Sequence, residues 1–162
     1  MKDRIDSAVP NSLPGQPAGY GLAQPGEGTT VPRILVIDDD KLFLASICRH
    51  FRRSGYSVMQ ARSGREALLL LDRLLIDMVV TDILMPEGDG FYLIREIRQR
   101  WPALQVIAMS GGDMQAAGEY LDRSLKLGAD QAFEKPFPVE GLLAAVRFHL
   151  RQPHATTRNC HN

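Results

Sequence analysis

Residues 33–40 read Arg-Ile-Leu-Val-Ile-Asp-Asp-Asp, and the fold is decided there. Ile34 to Ile37 is a continuous apolar run, mostly β-branched and too short for a helix. Such a run reads as a strand buried on both faces, the kind found in parallel sheets. Asp38, Asp39 and Asp40 then stop it abruptly. Carboxylates at the end of a buried strand are costly unless something positive meets them.

Working outward, the same unit recurs. A helix is expected over Lys41 to Ser54, with Phe43, Ile47 and Phe51 at i, i+4, i+8 and Gly55 to end it. Tyr56 to Ala61 reads as a second strand. Ser63 to Leu75 reads as a helix in which Ser63 and Glu66 have the spacing of a capping box. Asp77 to Thr81 is a third strand, followed by a loop with Pro86, Gly88 and Gly90, then a helix to about Arg100, where Pro102 breaks it. Leu104 to Met109 is a fourth strand, Asp113 to Leu127 a helix closed by Gly128, and Asp130 to Glu134 a fifth strand. Pro138 at a first helical position opens the last helix, which runs to about Leu150. Regular βα alternation with apolar strands predicts a parallel sheet covered by helices on both faces.

The flanks differ. Residues 1–32 hold five of the ten prolines and five of the fourteen glycines, with sparse apolar residues and no period. Such a stretch cannot offset its ordering entropy and is expected to be disordered. A flexible tail is expected over 152–162. The ordered domain is therefore expected over 33–151. With 44 % hydrophobic residues the chain has the means to fill a core, and its net charge of zero offers nothing to a nucleic acid or an anionic membrane. Cys48 and Cys160 make no disulfide framework. The N-terminus carries no long apolar run, so no membrane insertion and a cytoplasmic location are expected.

In open α/β sheets ligands gather at the carboxyl ends of the strands. Here those ends carry Asp38, Asp39 and Asp40, then Asp82, Ser110 and Lys135. Each residue has an ordinary reading as well. Asp40 directly precedes a helix and suits an N-cap. Asp82 and Ser110 could be turn residues, and Lys135 a solvated lysine. Taken together they form a crevice of carboxylates, a hydroxyl and an ammonium. Crowded carboxylates call for a hard cation, and Mg²⁺ takes oxygen ligands while keeping room for a phosphate oxygen. A cation, an ammonium and a hydroxyl are what a transferring phosphoryl group needs, with one aspartate as its acceptor. Asp82, on the middle strand, is the best candidate.

Four segments now fall into one pattern: Val36-Ile37-Asp38-Asp39-Asp40, Val79-Val80-Thr81-Asp82-Ile83-Leu84-Met85-Pro86, Ile107-Ala108-Met109-Ser110-Gly111 and Glu134-Lys135-Pro136-Phe137. Together they resemble a response-regulator receiver domain of two-component signalling, over residues 33–151. The resemblance implies a flavodoxin-like doubly wound sheet of five parallel strands in the order 2-1-3-4-5 with five helices, a topology for which the chemotaxis receiver is a standard example. It also implies roles. Asp82 would be the phosphoacceptor, and Asp38, Asp39, Asp82 and the Leu84 carbonyl would hold Mg²⁺. Ser110 and Lys135 would contact the phosphoryl group, and the Lys135-Pro136 bond would be cis.

By the same resemblance the donor is a sensor histidine kinase or a histidine phosphotransfer protein. The domain would be a phosphoacceptor that promotes its own phosphorylation and dephosphorylation, not an enzyme acting on other substrates. One departure stands out. Many receivers carry an aromatic residue three positions before the lysine, where this chain has Ala132. Phe133 alternates to the other side and is expected in the core. Activation is then expected to run through Gly111-Gly112 and the following helix. No output module is evident after Leu150, so a stand-alone domain is expected. It would signal by contact with an unknown downstream protein through its last two helices and fifth strand, without binding nucleic acid directly. Two other classes compete: a phosphorylation-independent binding module, and a haloacid-dehalogenase-type phosphohydrolase with its nucleophile after the first strand.

Overall fold

The computed structural model describes residues 31–86, 89–111 and 114–151. The segments expected to be disordered lie outside this range, apart from Val31 and Pro32. Gly88, Gly112 and Asp113 also lie outside it.

Ten elements alternate along the chain. They are β1 (Arg33–Ile37), α1 (Lys41–Arg53), β2 (Ser57–Ala61), α2 (Gly64–Arg73), β3 (Met78–Asp82), α3 (Asp89–Arg100), β4 (Gln105–Ser110), α4 (Met114–Leu127), β5 (Gln131–Glu134) and α5 (Val139–Arg151). The strands pair in the order β2-β1-β3-β4-β5, all in parallel. This is the doubly wound topology that the resemblance implies.

Alternation along the strands sorts the core into two layers. Ile34 and Val36 of β1, Met78 and Val80 of β3, and Ile107 and Met109 of β4 face α1 and α5. Leu35, Ile37, Val79, Val106 and Ala108 face α2, α3 and α4. Each such buried aliphatic side chain contributes about 1.5–3 kcal/mol, so the central strands dominate stability. Ala132 belongs to the second layer and Phe133 to the first, as the alternation requires.

Local chemistry sets the boundaries. Asp40 caps α1, accepting from the Leu42 and Phe43 N–H groups, and Gly55 follows the helix with φ +89°. Ser63 caps α2 by accepting from Glu66 N–H, and the Glu66 carboxylate accepts from Arg62 N–H. Several ends differ from the reading above. β3 and β4 each run one residue further, through Asp82 and Ser110, because both residues sit against a paired neighbouring strand. Gly90 lies inside α3, not in the loop before it. Helix α5 starts at Val139, so Pro138 precedes it and its carbonyl accepts from Gly141 N–H.

The chain leaves β1 for β2 on one side and returns to β3 on the other. The switch point therefore lies between β1 and β3. Because Ile37 pairs with Thr81, the next residues, Asp38 and Asp82, come level at that point.

Candidate functional site

Asp38 and Asp82 are 1 % and 4 % exposed, a rare fate for aspartates. Asp38 is tied at both oxygens: Oδ1 accepts from Asp40 N–H at 2.9 Å, and Oδ2 accepts from Lys135 Nζ at 2.6 Å. Lys135 Nζ also donates to Asp82 Oδ1 at 3.0 Å. Asp39 stands beside them, half-buried, and one carboxylate oxygen from each of Asp38, Asp39 and Asp82 fits within 4.8 Å of the others. Asp38, Asp39, Asp82 and Lys135 thus meet at one edge, though they span the chain from residue 38 to residue 135.

The electrostatics are unbalanced. One ammonium faces three carboxylates. Burial pushes the Asp82 carboxyl above the usual carboxylate range; Lys135 pulls it down, while Asp38 and Asp39 push it up further. For Lys135, burial is the largest single influence and acts to lower it. The hydrogen bonds to Asp38 and Asp82 and the charges of both carboxylates together outweigh burial and hold it above the ordinary lysine value. Such a site has an unmet demand for positive charge among hard oxygen donors, which fits Mg²⁺.

Ser110 closes the other flank. Its side chain is fully buried, and its Oγ has no hydrogen-bond partner among the described residues. An unpaired buried hydroxyl costs about 1–3 kcal/mol, so it stands ready for an acceptor that arrives from outside. Its main chain is committed, since Ser110 C=O accepts from Lys135 N–H at 2.7 Å. Leu84 lies two residues beyond Asp82 with its side chain at the surface. The Lys135-Pro136 peptide is cis.

Asp40 does not join the cluster; it serves as the cap of α1. Among the described residues, Cys48 is free and buried, and burial raises its thiol, so it acts as core. Two contributors escaped the sequence reading. Phe43, read only as a core stripe residue, lies with its ring centroid 4.1 Å from Lys135 Nζ. Gly90 approaches the Asp82 main chain so closely that an added Cβ would lie 2.6 Å from the Asp82 carbonyl oxygen. Neither has a local sequence signal, because each meets its partner through the fold.

Comparison with known proteins agrees with this fold. Residues 34–147 match the family described as response regulator receiver domain. Response regulator MprA of Mycolicibacterium vanbaalenii is 39 % identical over 123 residues, which is 74 % of this chain and 51 % of that protein. Response regulator MprA of Mycobacterium leprae is 37 % identical over the same shares. Among solved structures, the Francisella response regulator 1452 receiver domain superposes with a TM-score of 0.66 at 33 % identity, covering 74 % of this chain and 96 % of that one. A CheY-like receiver domain protein from Methanospirillum hungatei gives 0.69 at 27 % identity, covering 75 % and 94 %. The chain spans about half the length of the curated relatives it matches. Among the described residues, no helix is long and apolar enough to cross a membrane.

Proposed function

The chain belongs to the family of response regulator receiver domains, and on that premise we propose that it is a phosphorylation switch whose acceptor is Asp82. The observation that carries this is the Lys135 ammonium reaching both Asp38 and Asp82, inside a cluster of three carboxylates within 4.8 Å. A carboxylate oxygen of Asp82 attacks phosphorus as the bond from phosphorus to the donor's imidazole nitrogen, or to a small-molecule leaving group, breaks. Lys135 shifts from the carboxylates to the new phosphoryl oxygens. The buried Ser110 hydroxyl finds in a phosphoryl oxygen the acceptor it lacks. Asp38, Asp39, Asp82 and the Leu84 carbonyl would hold Mg²⁺, which when bound would neutralise charge on the phosphoryl oxygens.

The donor in this reading is a histidine kinase or a histidine phosphotransfer protein. The same site hydrolyses its own phosphoryl group, and the partner face is α4, β5 and α5. Leu125 of α4 and Phe148 of α5 carry exposed apolar side chains. A second reading, a binding module that keeps the fold without phosphorylation, draws on Ala132 at the position where many receivers carry an aromatic residue.

Intact mass measured after incubation with Mg²⁺ and acetyl phosphate separates the two. The switch predicts a gain of one phosphoryl group that requires Mg²⁺ and disappears in Asp82→Asn. A gain that survives in Asp82→Asn would move the acceptor to another aspartate.

A further inference from the structure

Lys135 is held on more than its two carboxylates. An ammonium has three N–H donors and no acceptor, and here two of them are directed at Asp38 and Asp82. The Phe43 ring lies 4.1 Å from the same Nζ. A ring face attracts a cation through its quadrupole, most strongly where water is excluded. The Lys135 side chain is only 19 % exposed, so the contact is largely shielded.

The ring is itself fixed from two directions. Its main chain sits in the first turn of α1, where Phe43 N–H donates to the Asp40 cap at 3.2 Å. Its edge meets Phe137 at 6.1 Å and 84°, and Phe137 in turn meets Phe133 at 5.5 Å. Phe137 follows Lys135 by two residues, so the β5–α5 connection that carries the lysine also holds the ring that faces it. The stem has a further boundary at Gly111, where a Cβ would stand 3.3 Å from Lys135 Cδ.

We propose that Phe43 is a positioning residue: its ring face keeps the Lys135 ammonium aimed at Asp82, so that it reaches the phosphoryl group during transfer. This rests on the reading of Asp82 as acceptor. Phe43 touches no reacting atom and acts only through Lys135. An aliphatic residue would fill similar space but would leave the ammonium free to turn toward water.

The test is a set of rates and one spectrum. With Mg²⁺ and acetyl phosphate, Phe43→Leu slows phosphorylation of Asp82 roughly two- to thirty-fold, the span that a partly shielded cation–ring contact supports. Phe43→Tyr, which keeps the ring face, restores the rate. In a Lys135→Met background the Phe43→Leu change adds nothing further. In the Mg²⁺-free protein, the NMR signal of the Lys135 ε-methylene shows a ring-current shift that Phe43→Leu abolishes and Phe43→Tyr retains.

Equal rates for Phe43→Leu and wild type would overturn the proposal. So would a Phe43→Leu loss that persists undiminished without Lys135, since that would mark plain packing. A wild-type protein that gains no phosphoryl group would overturn the Asp82 reading as well. That failure is recognisable because it strikes every variant alike, while the spectrum still reports the contact.

Discussion

Gly90 presses its α-carbon against the main chain of Asp82 and Ile83: a Cβ at Gly90 would stand 2.4 Å from Ile83 Cα and 2.6 Å from the Asp82 carbonyl oxygen. Those neighbours are backbone of the central strand and its exit, and they cannot rotate aside. The first turn of α3 is therefore seated directly beneath Asp82. Gly90→Ala is expected to destabilise the fold by roughly 1–3 kcal/mol, the usual cost of overpacking. It also displaces Asp82, so residual phosphorylation by acetyl phosphate should fall further than the folded fraction does. Urea unfolding and intact-mass kinetics on the same sample check both parts.

Asp82→Asn is expected to stabilise the Mg²⁺-free protein while abolishing phosphorylation. Burial holds the Asp82 carboxyl above the ordinary range, with Asp38 and Asp39 adding to the rise. The folded state therefore binds its proton more tightly than the unfolded state. Stability falls as pH rises from the unfolded value through the raised folded value, and the full cost is present above the folded value. Asparagine removes that cost, so Tm should rise by a few degrees. The gain should shrink at acid pH, where Asp82 is already protonated, and Mg²⁺ should narrow it at neutral pH. Thermal melts at several pH values, with and without Mg²⁺, read the sign directly.

How far the fold and this site were legible depended on whether the signal lay along the chain or across it. The β1 run, the Asp40 and Ser63 caps and the opposed faces of Ala132 and Phe133 are local, and periodicity found them. The ends of β3 and β4 were read one residue short because Asp82 and Ser110 are polar. Strand ends are set by backbone pairing with the neighbouring strand, and that pairing continues through both residues. Phe43 looked like one of a helical stripe with Ile47 and Phe51, yet those two are buried while Phe43 is half-buried and meets a lysine at the far end of the chain. Arg98 was one of several arginines in α3, with nothing to single it out.

Arg98 is nevertheless the side chain that ties α3 to the opposite end of the domain. Its Nε donates to Gly128 C=O at 2.6 Å, another nitrogen donates to Leu104 C=O, and a third pairs with Asp130 at 2.8 Å. The same Asp130 oxygen accepts from Val106 N–H at 2.6 Å. Arg98→Ala would strand these acceptors and is expected to cost about 2–3 kcal/mol. Arg98→Lys should recover little of this, because one ammonium cannot reproduce a planar fork. Since the clamp lies away from the acidic cluster, the phosphorylation rate of the folded protein should change little. Denaturant melts beside acetyl phosphate kinetics test that separation.

Lys135→Met is expected to destabilise the Mg²⁺-free protein and to slow phosphorylation. It leaves the buried carboxylates of Asp38 and Asp82 with no ammonium beside them. Removing one member of a buried pair costs up to about 3–5 kcal/mol, less here because Lys135 is partly exposed. Mg²⁺ should raise Tm more in the variant than in wild type, since the cation then meets a larger deficit of positive charge. The pH dependence has its own sign. The folded Lys135 value is raised, so its contribution is fully present below the ordinary lysine value and is lost as pH rises through the raised one. Wild type should therefore lose its margin over the variant only in strongly alkaline solution.

In the proposed switch, Ala132 bears on how phosphorylation is read out. It packs in the same layer as Leu121 of α4, with no ring there to rotate when Ser110 moves. The link that remains is main chain: Lys135 N–H donates to Ser110 C=O at 2.7 Å, and Gly111 follows directly against the Lys135 stem. A shift of Ser110 and Lys135 toward a phosphoryl group then pulls on the start of the β4–α4 connection. With beryllofluoride as the phosphoryl mimic, hydrogen exchange should change in the first turns of α4 and little in β5. Unchanged protection throughout α4 would remove this route. Exchange that changes instead along β5 would mean that the strand itself relays the signal.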